Sequence, residues 1–152
     1  MISTVSIEAA NAAEAEEVCA GLRGFNACAV RGLDFVPLWL VVRDASGALQ
    51  GGLVGEIYLG WLSIDALWVA EPIRGLGTGS ALLRKAEKRA VEEGAVAAYL
   101  DTFHWQAARF YERHGYAEFG RLEDFPAGSP RLFMQKKLMA IYPDDEVGVV
   151  RR

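Results

Sequence analysis

Apolar positions along this chain alternate first at the spacing of a strand, then at that of a helix, and then through a run of strands. Residues 3–7 alternate and predict a short strand, and residues 9–22, rich in Ala and Glu, carry Ala15, Val18, Cys19 and Leu22 at helical spacing. Glycines at 24 and 32 predict a loop or broken helix over 23–37, the kind of irregular stretch that often lines a substrate pocket. Residues 38–43 read as a buried strand, and Asp44-Ala45-Ser46-Gly47 is turn chemistry leading into a glycine-rich strand over 49–58, so the two form a hairpin. After Gly60 a further antiparallel strand covers 61–69. The next helix, 78 to about 93, turns Leu82, Leu83, Ala86 and Ala90 inward and Arg84, Lys85, Lys88 and Arg89 outward, with Gly94 as its cap. A strand over 96–101, a helix over 105–114 ended by Gly115, and strands over 116–121 and 131–138 complete the pattern around the turn-rich stretch 124–130. The order βαβββαβαββ, without internal repeat, predicts an α/β (mixed α+β) single domain over 1–138, with a mixed, mostly antiparallel central sheet flanked by helices. Residues 139–152, with Pro143 and three consecutive acids, form an extension expected to be mobile.

With 152 residues, 52% hydrophobic and 24% charged, the chain has enough apolar material for one sizeable core. The formal net charge of −4 and pI near 5.2 exclude a general nucleic-acid binder, which needs a basic face. Two cysteines, Cys19 and Cys28, are too few for a disulfide framework and read as reduced thiols, which predicts a cytoplasmic protein. No apolar run has the length of a membrane span, and Met1-Ile2-Ser3-Thr4-Val5 lacks the basic and apolar regions of a signal peptide.

Candidate chemistry concentrates in Val69-Ala70-Glu71-Pro72-Ile73-Arg74-Gly75-Leu76-Gly77-Thr78-Gly79-Ser80, where a strand enters three alternate glycines and a helix leaves them. Glycines let successive backbone N–H groups turn toward one point, and the new helix adds unsatisfied amides and a positive dipole end, so the junction predicts a phosphate site. A nucleoside-triphosphate loop fails, because no lysine follows the last glycine until Lys85. A dinucleotide fingerprint fits poorly, because the spacing is Gly75-x-Gly77-x-Gly79 after an antiparallel strand. What remains is Arg-x-x-Gly-x-Gly at Arg74, Gly77 and Gly79, which resembles the pyrophosphate-binding motif of the GNAT superfamily of N-acetyltransferases. A second stretch, from His104 to Tyr116, is similar to that family's Asn-x-x-Ala-x-x-x-Tyr-x-x-x-Gly-Phe pattern at Ala107, Tyr111, Gly115 and Tyr116, with His104 standing where the family usually has Asn. The resemblance covers roughly residues 35–138.

The resemblance implies acetyl-CoA as co-substrate, no metal, and direct transfer of the acetyl group to a primary amine; the amine is expected to belong to a small molecule, because nothing in the sequence resembles a peptide-reading module. It assigns the diphosphate to Arg74, Gly75, Leu76, Gly77, Thr78 and Gly79, and lays the pantetheine arm along the strand at Leu67, Trp68 and Val69. His104 and Gln106 fall near the cofactor. Tyr111 becomes the proton donor to the departing thiolate; a core tyrosine bonded to a backbone carbonyl is the alternative for its side chain. Glu56, Asp65 and Asp101 are candidates for the base: Asp65 reads equally as exposed edge charge, and Asp101 equally as a helix cap. Asp34, Glu56, Asp65, Glu123 and Asp124 are expected to give the pocket rim an acidic character suited to a cationic amine. The family often dimerises, which makes a homodimer an expectation as well. A protein N-terminal or lysine acetyltransferase and a non-catalytic acyl-CoA sensor stay open as alternatives.

Overall fold

The computed structural model describes residues 6–30 and 35–138. The chain divides into two compact units, Met1–Leu33 and Asp34–Arg152. In the first, helix α1 spans Ala12–Ala29 and starts at a capping box. The Asn11 side chain accepts from the Ala13 and Glu14 amides at 2.9 and 3.1 Å, and the Asn11 amide donates back to Glu14 Oε2 at 2.8 Å. Two expectations are corrected here. Ser6 and Ile7 belong to no strand, residues 3–5 lying outside the described ones, and the predicted break after Leu22 is instead continuous helix to Ala29. Gly21 and Gly24 are carried inside α1, each at a propensity cost of about 1 kcal/mol against alanine. The expectation for 139–152 falls outside the described residues.

The second unit holds the sheet. Its elements are β1 (Val36–Arg43), β2 (Leu49–Tyr58), β3 (Trp61–Val69), a 3-10 turn (Glu71–Ile73), α2 (Thr78–Glu92), β4 (Ala97–Phe103), α3 (Ala108–Arg113), β5 (Ala117–Leu122) and β6 (Arg131–Lys137). The strands lie in the order β1-β2-β3-β4-β6-β5, antiparallel throughout except for β3 against β4. Pro37 sits in β1, an edge strand, where its missing N–H costs no ladder bond. Leu59 and Gly60, at φ 52° and 77°, make the two-residue turn whose backbone twist suits the β2–β3 hairpin.

Leu38, Leu53, Ile57, Leu62 and Ile64 point to one face of the sheet and meet Leu82, Leu83, Ala86 and Ala90 of α2 in a single core cluster, joined by Leu100, Tyr111, Tyr116 and Met134. One acid enters this core. Glu87 is 4% exposed and accepts from Tyr116 Oη at 3.1 Å and from Lys136 Nζ at 2.7 Å. Burial first, and then the Glu87 charge, raises the Tyr116 phenol far above its ordinary range, so it remains a donor.

Helix α3 begins later than the predicted 105. Gln106 folds back onto the end of β4, its Oε1 accepting from the Phe103 amide at 3.2 Å and from Thr102 Oγ1 at 3.3 Å, while its own amide donates to the Phe103 carbonyl at 2.9 Å. That closed turn occupies the residues that periodicity assigned to a first helical turn, and helix starts at Ala108.

Candidate active site

Among the described residues, β3 pairs with β4 over Trp61–Ile64 against Ala97–Leu100, and no further. The reason is a bulge in β3: its register on β2 passes from Ile64↔Gly55 to Ala66↔Val54, which leaves Asp65 without a partner and bends the strand. A Cβ on Gly55 would collide with the Ser63 carbonyl oxygen, so the close approach beside the bulge requires glycine. Beyond Ile64, β3 stays on β2 as far as Gly51↔Val69, while β4 continues on β6 to Phe103↔Arg131. The two strands part, and a cleft of about 820 Å³ opens between them. Its β3 wall, residues 65–69, presents main-chain groups that no neighbouring strand takes up. Such an edge accepts an extended ligand carrying amide groups as a further strand would.

The bulge also reverses the alternation of side chains. Leu62 and Ile64 are buried, and so far as the core is concerned Leu67 and Val69 take their place past the bulge, while Asp65, Ala66 and Trp68 are exposed. Strict alternation predicts Asp65 on the same side as Leu67 and Val69; the extra residue puts it on the other side, where Ser63 Oγ donates to Asp65 Oδ1 at 2.7 Å.

At one end of the cleft lies the glycine turn. Gly75 and Gly77 have φ of 75° and 84°, and Gly77 is the N-cap of α2 with no side chain to receive the first amides of that helix. The Thr78, Gly79 and Ser80 N–H groups therefore retain donor capacity beside the cleft that these residues line. Arg74 Nε donates to the Val69 carbonyl at 2.9 Å, tying the turn to the end of β3. Gly79 differs from the other two glycines: it has no positive φ, and a Cβ there would meet the Phe110 ring at ordinary contact distance, 3.5 Å, which places the start of α2 against α3.

On the opposite wall stand Thr102, Gln106, Ala107, Phe110 and Tyr111. Because the Phe103 N–H must donate, the Gln106 atom it meets is the carbonyl oxygen, and the Gln106 NH₂ is free to donate into the cleft. Tyr111 is 6% exposed, its ring held edge-on against Phe110 at 5.1 Å and Tyr116 at 5.7 Å. Its hydroxyl makes no hydrogen bond among the described residues and yet is not sealed from solvent, so it opens on the cleft. Burial pushes the phenol up to about 12, which keeps the proton on it at every working pH.

The predicted acids are sorted by their surroundings. Asp65 lines the cleft; Glu56 lies one strand away, opposite Ser63, and is half-buried outside the cleft lining. Burial, and then the neighbouring Asp65 charge, raises the Glu56 carboxyl above its ordinary value. Asp101 also lines the cleft, but Arg131 Nε donates to its Oδ2 at 2.5 Å, and that guanidinium stands 5.5, 5.1 and 5.8 Å from the Phe103, Phe125 and Phe133 rings. Asp101 is thereby an ion-pair partner in place of a helix cap. Glu123 is exposed and pairs with Arg121 at 3.7 Å, and Asp124 closes a turn by accepting from the Gly128 amide at 3.0 Å, so neither lines the cleft. Asp34 is outside the described residues. Leu76, 75% exposed, and His104, in the turn after β4, lie off the cleft lining. Ser80, Thr102, Phe110 and Arg113 line it without having been singled out as site residues.

Among the described residues no helix is long and apolar enough to cross a membrane. A parted parallel strand pair, a left-handed glycine turn and a tyrosine hydroxyl without a hydrogen bond among the described residues line the cleft together. The chain belongs to the acetyltransferase (GNAT) family, whose model matches residues 13–116. Over 93 residues it is 42% identical to blasticidin-S acetyltransferase of Streptomyces morookaense, covering 60% of this chain and 68% of that one. An acetyltransferase of Agrobacterium fabrum is 36% identical over 98 residues, 64% of this chain and 72% of the relative. The crystal structure of an acetyltransferase from Bacillus cereus superposes with a TM-score of 0.79 at 35% identity, covering 88% of this chain and 97% of that chain.

Proposed function

We propose that this chain is an acetyl-CoA-dependent N-acetyltransferase that moves the acetyl group directly to a primary amine of a small molecule. The observation that carries the reading is the parting of β3 from β4 beside a glycine turn, with the Tyr111 hydroxyl unbonded on the wall between them. The donor set fits this co-substrate. The turn from Arg74 to Ser80 offers amides and a helix N-terminus to a diphosphate, and residues 66–69 offer main-chain partners to pantetheine amides. Gln106 offers its NH₂ from the opposite wall. Bound acetyl-CoA supplies an acetyl group on a thioester. A main-chain N–H of residues 67–69 polarises the thioester carbonyl, the amine nitrogen bonds to the acetyl carbon as the carbon–sulfur bond breaks, and the Tyr111 proton passes to sulfur. A small acceptor is favoured by the similarity to a relative named for blasticidin-S.

The amine must lose a proton, and Glu56, whose carboxyl feels the charge of the cleft-lining Asp65, takes it through water. A base acts when ionised, so kcat/KM falls as pH drops through the Glu56 pKa, which burial and Asp65 have raised. Asp65→Asn removes the neighbouring charge and is expected to move that acid limb to lower pH with the same amine. Glu56→Gln is expected to lower kcat/KM about 100-fold. A limb unmoved in the Asp65 variant assigns the proton to another group.

Release of free thiol from acetyl-CoA over a panel of small cationic amines tests the function. The expected result is amine-dependent release by at least one of them. No release above the amine-free rate, together with labelled acetyl groups appearing on lysate proteins, would replace the small-molecule reading by a protein-modifying one.

A further inference from the structure

One hydrogen bond joins the glycine turn to the tyrosine helix across the chain. Ser80, the third residue of α2, lines the cleft, and its Oγ lies 2.8 Å from Nε2 of His114, the residue that ends α3. The imidazole packs against Phe110, ring centroids 4.7 Å apart, and the Phe110 ring lies at contact distance from Gly79 at the helix start. Phe110 therefore holds the imidazole beside Ser80.

We infer that Ser80 is a hydroxyl donor to the diphosphate and that His114 is the positioning residue that turns this hydroxyl and makes diphosphate binding depend on pH. The inference rests on the acetyl-CoA reading of the cleft. A serine hydroxyl has one proton. When Nε2 is unprotonated it takes that proton, and the lone pairs of Oγ are left toward the cleft, where they repel an anion. When the ring is an imidazolium, Nε2–H donates to Oγ and the serine proton is released toward the cleft as a donor, with a positive charge behind it. Protonating the Nδ1–H tautomer thus changes Ser80 from acceptor to donor, and protonating either neutral tautomer adds attraction for the diphosphate.

The groups facing His114 set the direction. Glu87 and Arg84 approach from α2, Lys136 from β6 and Arg113 from its own helix. Burial is the largest influence and holds the imidazole below 6.5; Glu87 works against it, while Lys136, Arg84 and Arg113 add to it. The free protein is therefore mostly neutral at His114 near pH 7. A bound diphosphate favours the imidazolium and raises its pKa, so affinity is greatest below the free-protein pKa and declines as pH rises through the bound-state pKa.

Calorimetric titration with 3′-dephospho-coenzyme A tests this, because its diphosphate keeps its charge across the window. Wild-type protein is expected to bind about fivefold more tightly at about pH 5 than at about pH 8, the consequence of a pKa raised by somewhat less than one unit on binding and titrated fully across that window. His114→Gln keeps a donor to Ser80 but no titration, and is expected to flatten the dependence to within about twofold. Ser80→Ala is expected to weaken binding several-fold at the lower pH and much less at the higher. A wild-type slope preserved in His114→Gln, or low-pH affinity unchanged in Ser80→Ala, would overturn the inference while leaving the acetyl-CoA site intact. Absence of binding by the wild-type protein to both coenzyme A and its dephospho form would overturn the site itself.

Discussion

Tyr111→Phe is expected to lower kcat about 100-fold while the Kd for acetyl-CoA stays within about twofold, because only the proton donor is removed. The ring is 6% exposed and packed between Phe110 and Tyr116, and phenylalanine fills the same space. No partner is orphaned, since the hydroxyl makes no hydrogen bond among the described residues, so stability should change little. The pH profile supplies a second check. A general acid works while protonated, and with the phenol at about 12 no alkaline limb from Tyr111 falls within an ordinary assay range. Such a proton is held tightly, and it moves only as negative charge develops on the departing sulfur. A variant that turns over at the wild-type rate with every amine and at every pH would remove Tyr111 from the chemistry.

Glu87→Ala has the largest effect expected on stability, a loss of about 2–4 kcal/mol. The carboxylate is 4% exposed on the inward face of α2, and its removal leaves the buried Tyr116 hydroxyl and the part-buried Lys136 ammonium without their acceptor. For a chain of this size that corresponds to a fall in Tm on the order of 10 °C, measurable by thermal unfolding followed by circular dichroism. Replacing both charged partners together, Glu87→Leu with Lys136→Met, is expected to recover most of the loss, because the cost lies in leaving one part-buried charge unpaired. If the single variant unfolds within about 2 °C of wild type, Glu87 is solvated and the ion pair carries no weight.

The strands and the glycine turn were legible because their signals are local. The bounds of β2 and β3 follow from runs of apolar residues closed by Leu59-Gly60, and α2 from four apolar residues on one face. Of the cleft walls, Arg74, Gly77, Gly79 and Tyr111 lie on motif spacings, while Leu67, Trp68, Val69 and Gln106 follow from what the family resemblance implies. What escaped depends on residues far apart in the chain. Glu87 reads as one more solvent-facing acid until β6 brings Lys136 beneath it, and Ser80 reads as a helix start until α3 places His114 beside it. The bulge at Asp65 escaped because alternation assumes an unbroken register, and one extra residue moves every later side chain to the other face. The extension of α1 from Leu22 to Ala29 escapes for a simpler reason: glycine at 24 weakens a helix but does not end it.

Amide hydrogen exchange with and without acetyl-CoA tests the cleft most directly, since those amides of residues 66–69 that face the cleft and not β2, and the first amides of α2, exchange freely until a ligand takes them up. Slowed exchange at 66–69 and 78–80, with the edge strand β1 unchanged, is the result that the parted strands predict. Slowed exchange confined to other parts of the chain, or none at saturating acetyl-CoA, would contradict the assignment.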